Sequence, residues 1–272
     1  MKARDYFALP GVSSHMLIEM MRSPLHCWAN YLGPERSPEE STPAQRQGTL
    51  VHTLMLTPET FGDDHLLLES INRRTEAGKA ELAAASKAGK SVVSRVEYRA
   101  ALAVVKALRQ HPDARPELQS GEPEKVIVVP RGTILLPLKG RLDWLGTPPR
   151  VVELKTAADA RKGRFLGDVY RYGYHLSAAY YRMLAGEHTG APAQEIPHTF
   201  VVAETKPPYA VAVYPTSERL LAEGRDLWET QLAHFDACWT RQEWPGYPSE
   251  TLEPGGGGGK LRFEVEEGEV EL

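Results

Sequence analysis

A pair of strand-like segments near the middle of the chain constrains the fold more than any other feature. Residues 150–155 are rich in β-branched valine and follow Pro148 and Pro149, a pattern that indicates a strand. Residues 134–145 indicate a second strand. The connection between them, residues 146–150, is short, so we expect the two strands to lie side by side.

This pairing sets the register of the side chains. If residues 146–150 form the connection, Leu145 lies opposite Val151, and Asp143 therefore lies opposite Glu153. A slip of one residue would turn every side chain of a strand to the other face, so the register decides whether the two carboxylates meet.

The same register separates polar from apolar side chains, because alternate residues of a strand share a face. The predicted polar face carries Arg141, Asp143, Glu153 and Lys155. The predicted core face carries Leu142, Trp144, Val152 and Leu154.

Asp143, Glu153 and Lys155 together are what a metal-dependent phosphodiesterase needs. Carboxylate oxygens suit Mg²⁺, a bound metal activates water, and a lysine can position that water or offset developing negative charge. The alternative is a solvated strand face, where Glu and Lys form weak exposed pairs. The triplet by itself does not decide between the two.

A histidine on a predicted helix adds to the case. An apolar-periodic stretch from residue 44 to residue 56 follows Pro43, and Gly48 and His52 share one face of it. Glycine costs a helix about 1 kcal/mol relative to alanine, which suggests close approach of another backbone. His52 is a candidate metal ligand, although a lone helical histidine is more often a surface or core residue.

Two further features complete the set of candidates. Residues 172–181 open an amphipathic helix with four tyrosines, which could equally be core residues. Glu124 begins a strand-like run, and its simplest interpretation is a solvated strand end.

The order of helix and strand signals predicts an α/β fold, with a mixed sheet flanked by helices. We expect one domain over residues 1–248, followed by a Gly-rich linker and an acidic tail over residues 249–272. Helix-start signals that combine a capping Ser with a following Pro, Glu or apolar stripe occur at Ser13, Ser23, Ser94 and Ser217, with Thr216 as the alternative for the last.

The charge of the chain is unevenly distributed. Residues 250–272 contain seven acidic and two basic residues, a net charge of −5, so the rest of the chain carries +1 of the total of −4. Phosphate binding would therefore depend on local basic clusters. One candidate, which could equally be a solvated helical face, contains Arg73, Arg74, Lys79, Lys87 and Lys90.

The remaining composition predicts a cytoplasmic protein. The sequence has no apolar run long enough to span a membrane, and the residues after Met1 lack a signal-peptide pattern. Cys27 and Cys238 are the only cysteines, which argues against a disulfide framework, a zinc site or an iron–sulfur cluster.

The motifs taken in order resemble a known family. Asp143 followed by Glu153-Leu154-Lys155 looks like the signature of the PD-(D/E)xK nucleases, and the surrounding chain resembles the nuclease domain of exonuclease VIII (RecE) and its phage-borne relatives. Residues 43–52 look like the Gly-Thr-x-x-His motif of that family. The resemblance covers nearly all of residues 10–247, and it implies a PD-(D/E)xK nuclease core.

The resemblance also implies roles for individual residues. It makes Lys155 the catalytic lysine, with Tyr181 and Glu124 as further residues of the catalytic site. Ser177 stands where the family usually has Gln. The implied metal ligands are His52, Asp143, Glu153 and the carbonyl of Leu154, and the implied DNA contacts are Arg73, Arg74, Lys79 and Arg141.

The implied function is digestion of linear double-stranded DNA, from 5′ to 3′, with Mg²⁺ or Mn²⁺ as cofactor. The product would be a 3′ single strand for a RecT-like annealing partner in recombination, and the enzyme would form a ring-shaped trimer or tetramer. The alternatives are another PD-(D/E)xK nuclease, such as an endonuclease or a RecB-like nuclease, and a non-catalytic protein that binds DNA ends.

Overall fold

The computed structural model describes residues 3–34, 41–69, 75–132 and 135–249. Arg73, Arg74 and the acidic residues of the tail from position 250 onward lie outside the described residues. In the first half of the chain the elements are α1 (Ala3–Ala8), α2 (Ser14–Arg22), α3 (Pro24–Cys27), α4 (Pro43–Leu56), α5 (Phe61–Asp64), β1 (His65–Leu68), α6 (Glu76–Lys87), β2 (Ser91–Ser94), α7 (Arg95–Gln110) and α8 (Ala114–Glu117).

The second half of the chain supplies the main sheet. Its elements are β3 (Gly121–Val129), β4 (Leu138–Gly146), β5 (Arg150–Ala157), α9 (Lys162–Arg171), α10 (Tyr174–Thr189), β6 (His198–Glu204), β7 (Val211–Pro215) and α11 (Glu218–Arg241). The five strands lie in the order β3-β4-β5-β6-β7. Of the five described strands of this sheet, only β5 and β6 are parallel neighbours, and α9 and α10 form the crossover that such a pair needs. This is the predicted mixed sheet flanked by helices.

Local capping signals explain why the helices begin where they do. Ser94 Oγ accepts a hydrogen bond from the Glu97 N–H, and the Glu97 carboxylate accepts one from the Ser94 N–H. Thr42 and Gln45 form the same reciprocal arrangement before α4. Ser13, Ser23 and Ser217 accept equivalent backbone hydrogen bonds. The predicted starts of these helices are therefore confirmed, with Ser217 rather than Thr216 as the cap of α11.

The predicted register of the central strand pair is confirmed as far as Trp144 and Val152, but the ladder does not reach the predicted pair of Asp143 and Glu153. Leu145 pairs with Val151 and Trp144 with Val152, but there the antiparallel ladder ends. Beyond that point the Asp143 side chain replaces a backbone acceptor, and its Oδ2 accepts a hydrogen bond from the Leu154 N–H at 2.9 Å. The two strands thus separate where the ionisable residues begin.

The sheet divides two cores. Val151, Phe200 and Val202 belong to the core shared with α2, α10 and α11. Val152, Leu154, Val201 and Ala203 belong to the core shared with α4 and α7. Leu142 packs in the first core and Trp144 against the second, so the prediction that both share a face with Val152 is wrong for Leu142. The interruption of the β3/β4 ladder at Asp143, between these two residues, accompanies the change of side.

Candidate active site

Helix α4 brings an imidazole to the point where β4 and β5 separate. A Cβ atom on Gly48 would lie 3.0 Å from Thr156 Oγ1, so the helix approaches β5 as closely as the glycine allows. One turn later, His52 Nδ1 lies 3.6 Å from Asp143 Oδ1. Desolvation lowers the pKa of His52 although Asp143 acts against it, so the ring is held neutral, as a metal ligand must be.

Glu124 approaches the same point from β3. The β3/β4 ladder pairs Pro123 with Trp144 and Lys125 with Leu142, and it omits Glu124 and Asp143 between them. Glu124 has a φ of 50°, a left-handed conformation that is costly for a residue with a side chain. The expectation of a solvated strand end is wrong, because the Glu124 carboxylate is only 15 % exposed and faces the site.

Donor atoms of His52, Glu124 and Asp143 all lie within 4.8 Å of one another. Burial and the neighbouring Asp143 raise the pKa of Glu124 to about 7, although Arg141 opposes them. Glu124 Oε2 lies 2.7 Å from Arg141 Nε, yet the angle is not that of a hydrogen bond, and within the described part of the chain this buried oxygen has no such partner. Two carboxylates and a neutral imidazole fit Mg²⁺ or Mn²⁺, which would also relieve the repulsion between the acids.

Glu153 is 1 % exposed and lies beside this cluster with both oxygens occupied. Oε2 accepts a hydrogen bond from Lys155 Nζ at 2.6 Å, and Oε1 lies 3.0 Å from His198 Nε2. Burial would raise the pKa of Glu153, but Lys155 and His198 outweigh it and hold the pKa at about 2. Burial would lower the pKa of Lys155, but Glu153 and Asp143 outweigh it and raise it. The pair is therefore charged across the ordinary pH range.

The other residues predicted at the site lie in different surroundings. The backbone N–H of Leu154 donates to Asp143 Oδ2, and the Leu154 backbone acts to raise the pKa of His52 against the larger effect of burial. The Tyr181 hydroxyl accepts a hydrogen bond from Ser14 Oγ at 3.2 Å, and burial, followed by the charge of Glu153, raises its pKa. Ser177 is buried in the same helix. The roles of Glu153 and Leu154 as ligands and of Tyr181 in catalysis stay predictions.

The predicted DNA contacts separate in space. Arg141 pairs with Glu124 and lies 5.9 Å from the centre of the Tyr6 ring, so it belongs to the site. Lys79 lies on α6 and pairs with Glu76 at 2.7 Å on an exposed face. Their binding of DNA stays a prediction.

Two histidines at the site were not identified as candidates from the sequence. His198 opens β6, and its Nδ1 lies 2.8 Å from Thr216 Oγ1, so the ring bridges Glu153 and the segment before α11. His15 is the second residue of α2, and the protein packed around its ring, followed by the charge of Lys155, lowers its pKa. The pairing of β5 with β6 and the docking of α2 bring these residues in, and neither is visible as a local motif.

A family model described as a PDDEXK-like domain of unknown function (DUF3799) matches residues 13–253. The chain belongs to this PDDEXK-like family. The predicted PD-(D/E)xK recognition and fold are thereby confirmed. The assignment of the signature to Asp143 and Glu153-x-Lys155 stays a prediction.

The fold of this PDDEXK-like protein recurs in a crystal structure described as a "Putative exonuclease" from Eubacterium rectale. The two chains share 12 % sequence identity, the TM-score is 0.65, and the alignment covers 94 % of this chain and 95 % of the other. At this identity the likeness shows a common fold. No curated protein matches the sequence. Among the described residues, no helix combines the length and apolar character needed to cross a membrane.

Proposed function

We propose that this PDDEXK-like protein is a metal-dependent deoxyribonuclease. The observation that carries the proposal is the placement of a three-donor cluster, His52, Glu124 and Asp143, beside the buried Glu153–Lys155 pair. Metal-dependent hydrolysis of a phosphodiester is favoured by a cation site together with a fixed positive group near the phosphate. The family match and the fold shared with a protein described as an exonuclease support the same function.

The residues of the site have separate tasks in this mechanism. His52, Glu124 and Asp143 would hold the ion, and the Leu154 N–H keeps the Asp143 carboxylate in one orientation. A divalent ion there would lower the pKa of a water and offset charge on the phosphate. Lys155 would orient the attacking water or contact a phosphate oxygen, while Glu153 and His198 fix the lysine in position.

We further propose that the substrate is linear duplex DNA and that digestion runs from the 5′ end. The 3′ single strand left behind would pass to an annealing protein of the RecT type, from a ring-shaped trimer or tetramer. The support is the ordered resemblance to exonuclease VIII together with the fold of the E. rectale protein.

The test uses purified protein with linear duplexes labelled at the 5′ or the 3′ end and with covalently closed circular DNA. We expect early release of the 5′ label, slow release of the 3′ label, no cutting of the circle and no activity in EDTA. Cutting of the circle would indicate an endonuclease. Full activity in EDTA would overturn the proposed chemistry, and binding of ends without cleavage would indicate a non-catalytic protein.

The proposed assembly needs its own measurement. Light scattering coupled to size-exclusion chromatography should give the mass of a trimer or tetramer. A monomer at all concentrations would remove the ring from the proposal without affecting the chemistry.

A further inference from the structure

We infer that Tyr172, Arg171 and Tyr174 form a binding site for an unpaired nucleotide next to the scissile phosphate. The inference rests on the proposed function, because it describes where a DNA strand bound at Lys155 would continue. The site lies at the junction between α9 and α10, on the side of β5 opposite α4.

A continuous series of contacts links this junction to the catalytic lysine. Lys155 Nζ lies 4.9 Å from the centre of the Tyr174 ring. The Tyr174 and Tyr172 ring centres are 5.6 Å apart, with 33° between the ring planes. The Arg171 guanidinium carbon lies 5.3 Å from the centre of the Tyr172 ring. If a DNA strand contacts Lys155 through a phosphate, its neighbouring nucleotides therefore lie near the Tyr174 and Tyr172 rings and the Arg171 guanidinium.

The inner part of this series is held by the fold. The Tyr174 ring is partly buried, with the Phe165 and Phe200 rings each 6.3 Å away. Gly173 joins the two helices with a φ of 66°, and a Cβ atom there would lie 3.0 Å from Ile18 Cγ1. The bend between α9 and α10 is thus packed against α2, and this packing holds the backbone of Tyr172 in one orientation.

The outer part is open to solvent and positively charged. Tyr172 is 47 % exposed, and Arg171 beside it is exposed as well. Lys162 and Arg164 are exposed on the same helix. Aromatic rings next to basic side chains form the usual surface for single-stranded nucleic acid, because a base stacks on the ring and the cation contacts the phosphate.

Tyr170 shows that exposure of a tyrosine on α9 does not by itself make such a site. It is 49 % exposed, but its hydroxyl donates to Glu223 Oε2 at 2.9 Å and its ring lies 5.0 Å from His175. It is directed towards α11 and away from Lys155. Tyr170 therefore provides a control that is matched in residue type and exposure and lies two residues from Tyr172.

The experiment measures binding by fluorescence anisotropy in EDTA, so that cleavage does not interfere. The probes are a blunt labelled duplex and the same duplex with an unpaired thymidine tail at its 5′ or its 3′ end. We expect Tyr172→Ala to weaken binding of one of the two tailed duplexes about tenfold, which is the scale of one lost base–aromatic stack. Tyr172→Phe and Tyr170→Ala should stay within about twofold of wild type, because the first keeps the ring and the second leaves the site intact.

A second variant tests the cation. Arg171→Ala should weaken binding of the same tailed duplex and reduce the dependence of log affinity on log salt by about one ion. Equal losses for Tyr172→Ala and Tyr170→Ala, or wild-type binding by Tyr172→Ala, would overturn the inference. Failure of the wild type to bind any probe would overturn it as well.

The two proposals can fail separately. If Mg²⁺-dependent cutting is found but Tyr172→Ala binds and cuts like the wild type, the nuclease assignment stands and the nucleotide site does not. If the binding differences are found but no metal supports cutting, the nucleotide site stands on a protein that binds DNA without cleaving it.

Discussion

Glu124 and Glu153 lie on either side of Asp143, and their ionisation is shifted in opposite directions. Glu124 faces another carboxylate, and its pKa is raised to about 7. Glu153 faces a lysine and a histidine, and its pKa is lowered to about 2. The surroundings of Glu124 favour binding of a metal cation, whereas Glu153 is already paired with the Lys155 ammonium group.

Glu124 should make the metal-free fold less stable as pH rises. Its folded pKa lies above the ordinary value of 4.5, so stability is highest below pH 4.5 and falls as pH rises to 7. Glu124→Gln should therefore stabilise the protein in EDTA at pH 8, by up to about 3 kcal/mol, and much less at pH 4. Urea unfolding at both pH values measures this. An equal gain at both would show that charge is not the cause.

Lys155→Ala should lower the cleavage rate at least about a hundredfold while leaving the fold intact, since it removes one preorganised charge. Single-turnover cleavage and thermal unfolding, measured together, test this. Lys106→Ala, which changes an exposed lysine of α7, is the control and should cut at the wild-type rate. Wild-type cutting by Lys155→Ala with a loss of thermal stability would make Lys155 a structural partner of Glu153.

His52→Ala should weaken metal binding more than it disturbs folding, because a neutral ring contributes a ligand atom but no charge. Excess metal, or Mn²⁺ in place of Mg²⁺, should restore part of the activity, since Mn²⁺ binds nitrogen and oxygen ligands more tightly. Asp143→Ala should resist that rescue. Metal titrations of cleavage compare the two, and equal rescue would argue against separate roles.

Among the elements, α4 lies close enough to β5 to require a glycine near the site. Gly48→Ala adds a Cβ atom 3.0 Å from Thr156 Oγ1, so the helix must move by a few tenths of an ångström and take His52 with it. The helix-propensity gain of about 1 kcal/mol should leave overall stability near the wild-type value. We expect the metal concentration for half-maximal activity to rise.

The control for this change is Gly167→Ala on α9, where the added atom meets nothing within 4 Å. That variant should gain about 1 kcal/mol of stability with unchanged metal dependence. If Gly48→Ala behaves in the same way, contact with β5 does not set the position of His52.

The elements differ in how far the sequence predicts them. The β4/β5 pairing follows from local signals once residues 146–150 are assumed to form the connection, because that assumption sets the register. The position of Glu124 does not follow from local signals, because it depends on a left-handed backbone conformation that the residue types around it do not predict. His198 was equally hidden, because it reaches Glu153 only when two strands distant in sequence pair in parallel.

For the whole molecule, the distribution of charge predicts how the chain responds to salt. The seven acidic residues of positions 250–272 oppose binding of a polyanion, while the rest of the chain is close to neutral. A chain ending at Ser249 should bind duplex DNA more tightly at low salt, and the difference should vanish at high salt as the charges are screened. Anisotropy over a salt series measures this.

A tail of the same length with glutamine in place of glutamate separates charge from bulk. If that chain binds like the wild type, the acidic residues are not responsible.

The bridge from Glu153 through His198 to Thr216 has a consequence for synthesis of the protein. Asp143, Glu153 and Lys155 are synthesised before β6. A nascent chain that ends before β6 therefore contains these groups without His198, which contacts Glu153 in the folded protein. The long-range strand pairing must then form late. If the proposed function is correct, cutting of DNA should therefore require a chain that extends at least through β6, and a fragment ending within α10 should not cut DNA.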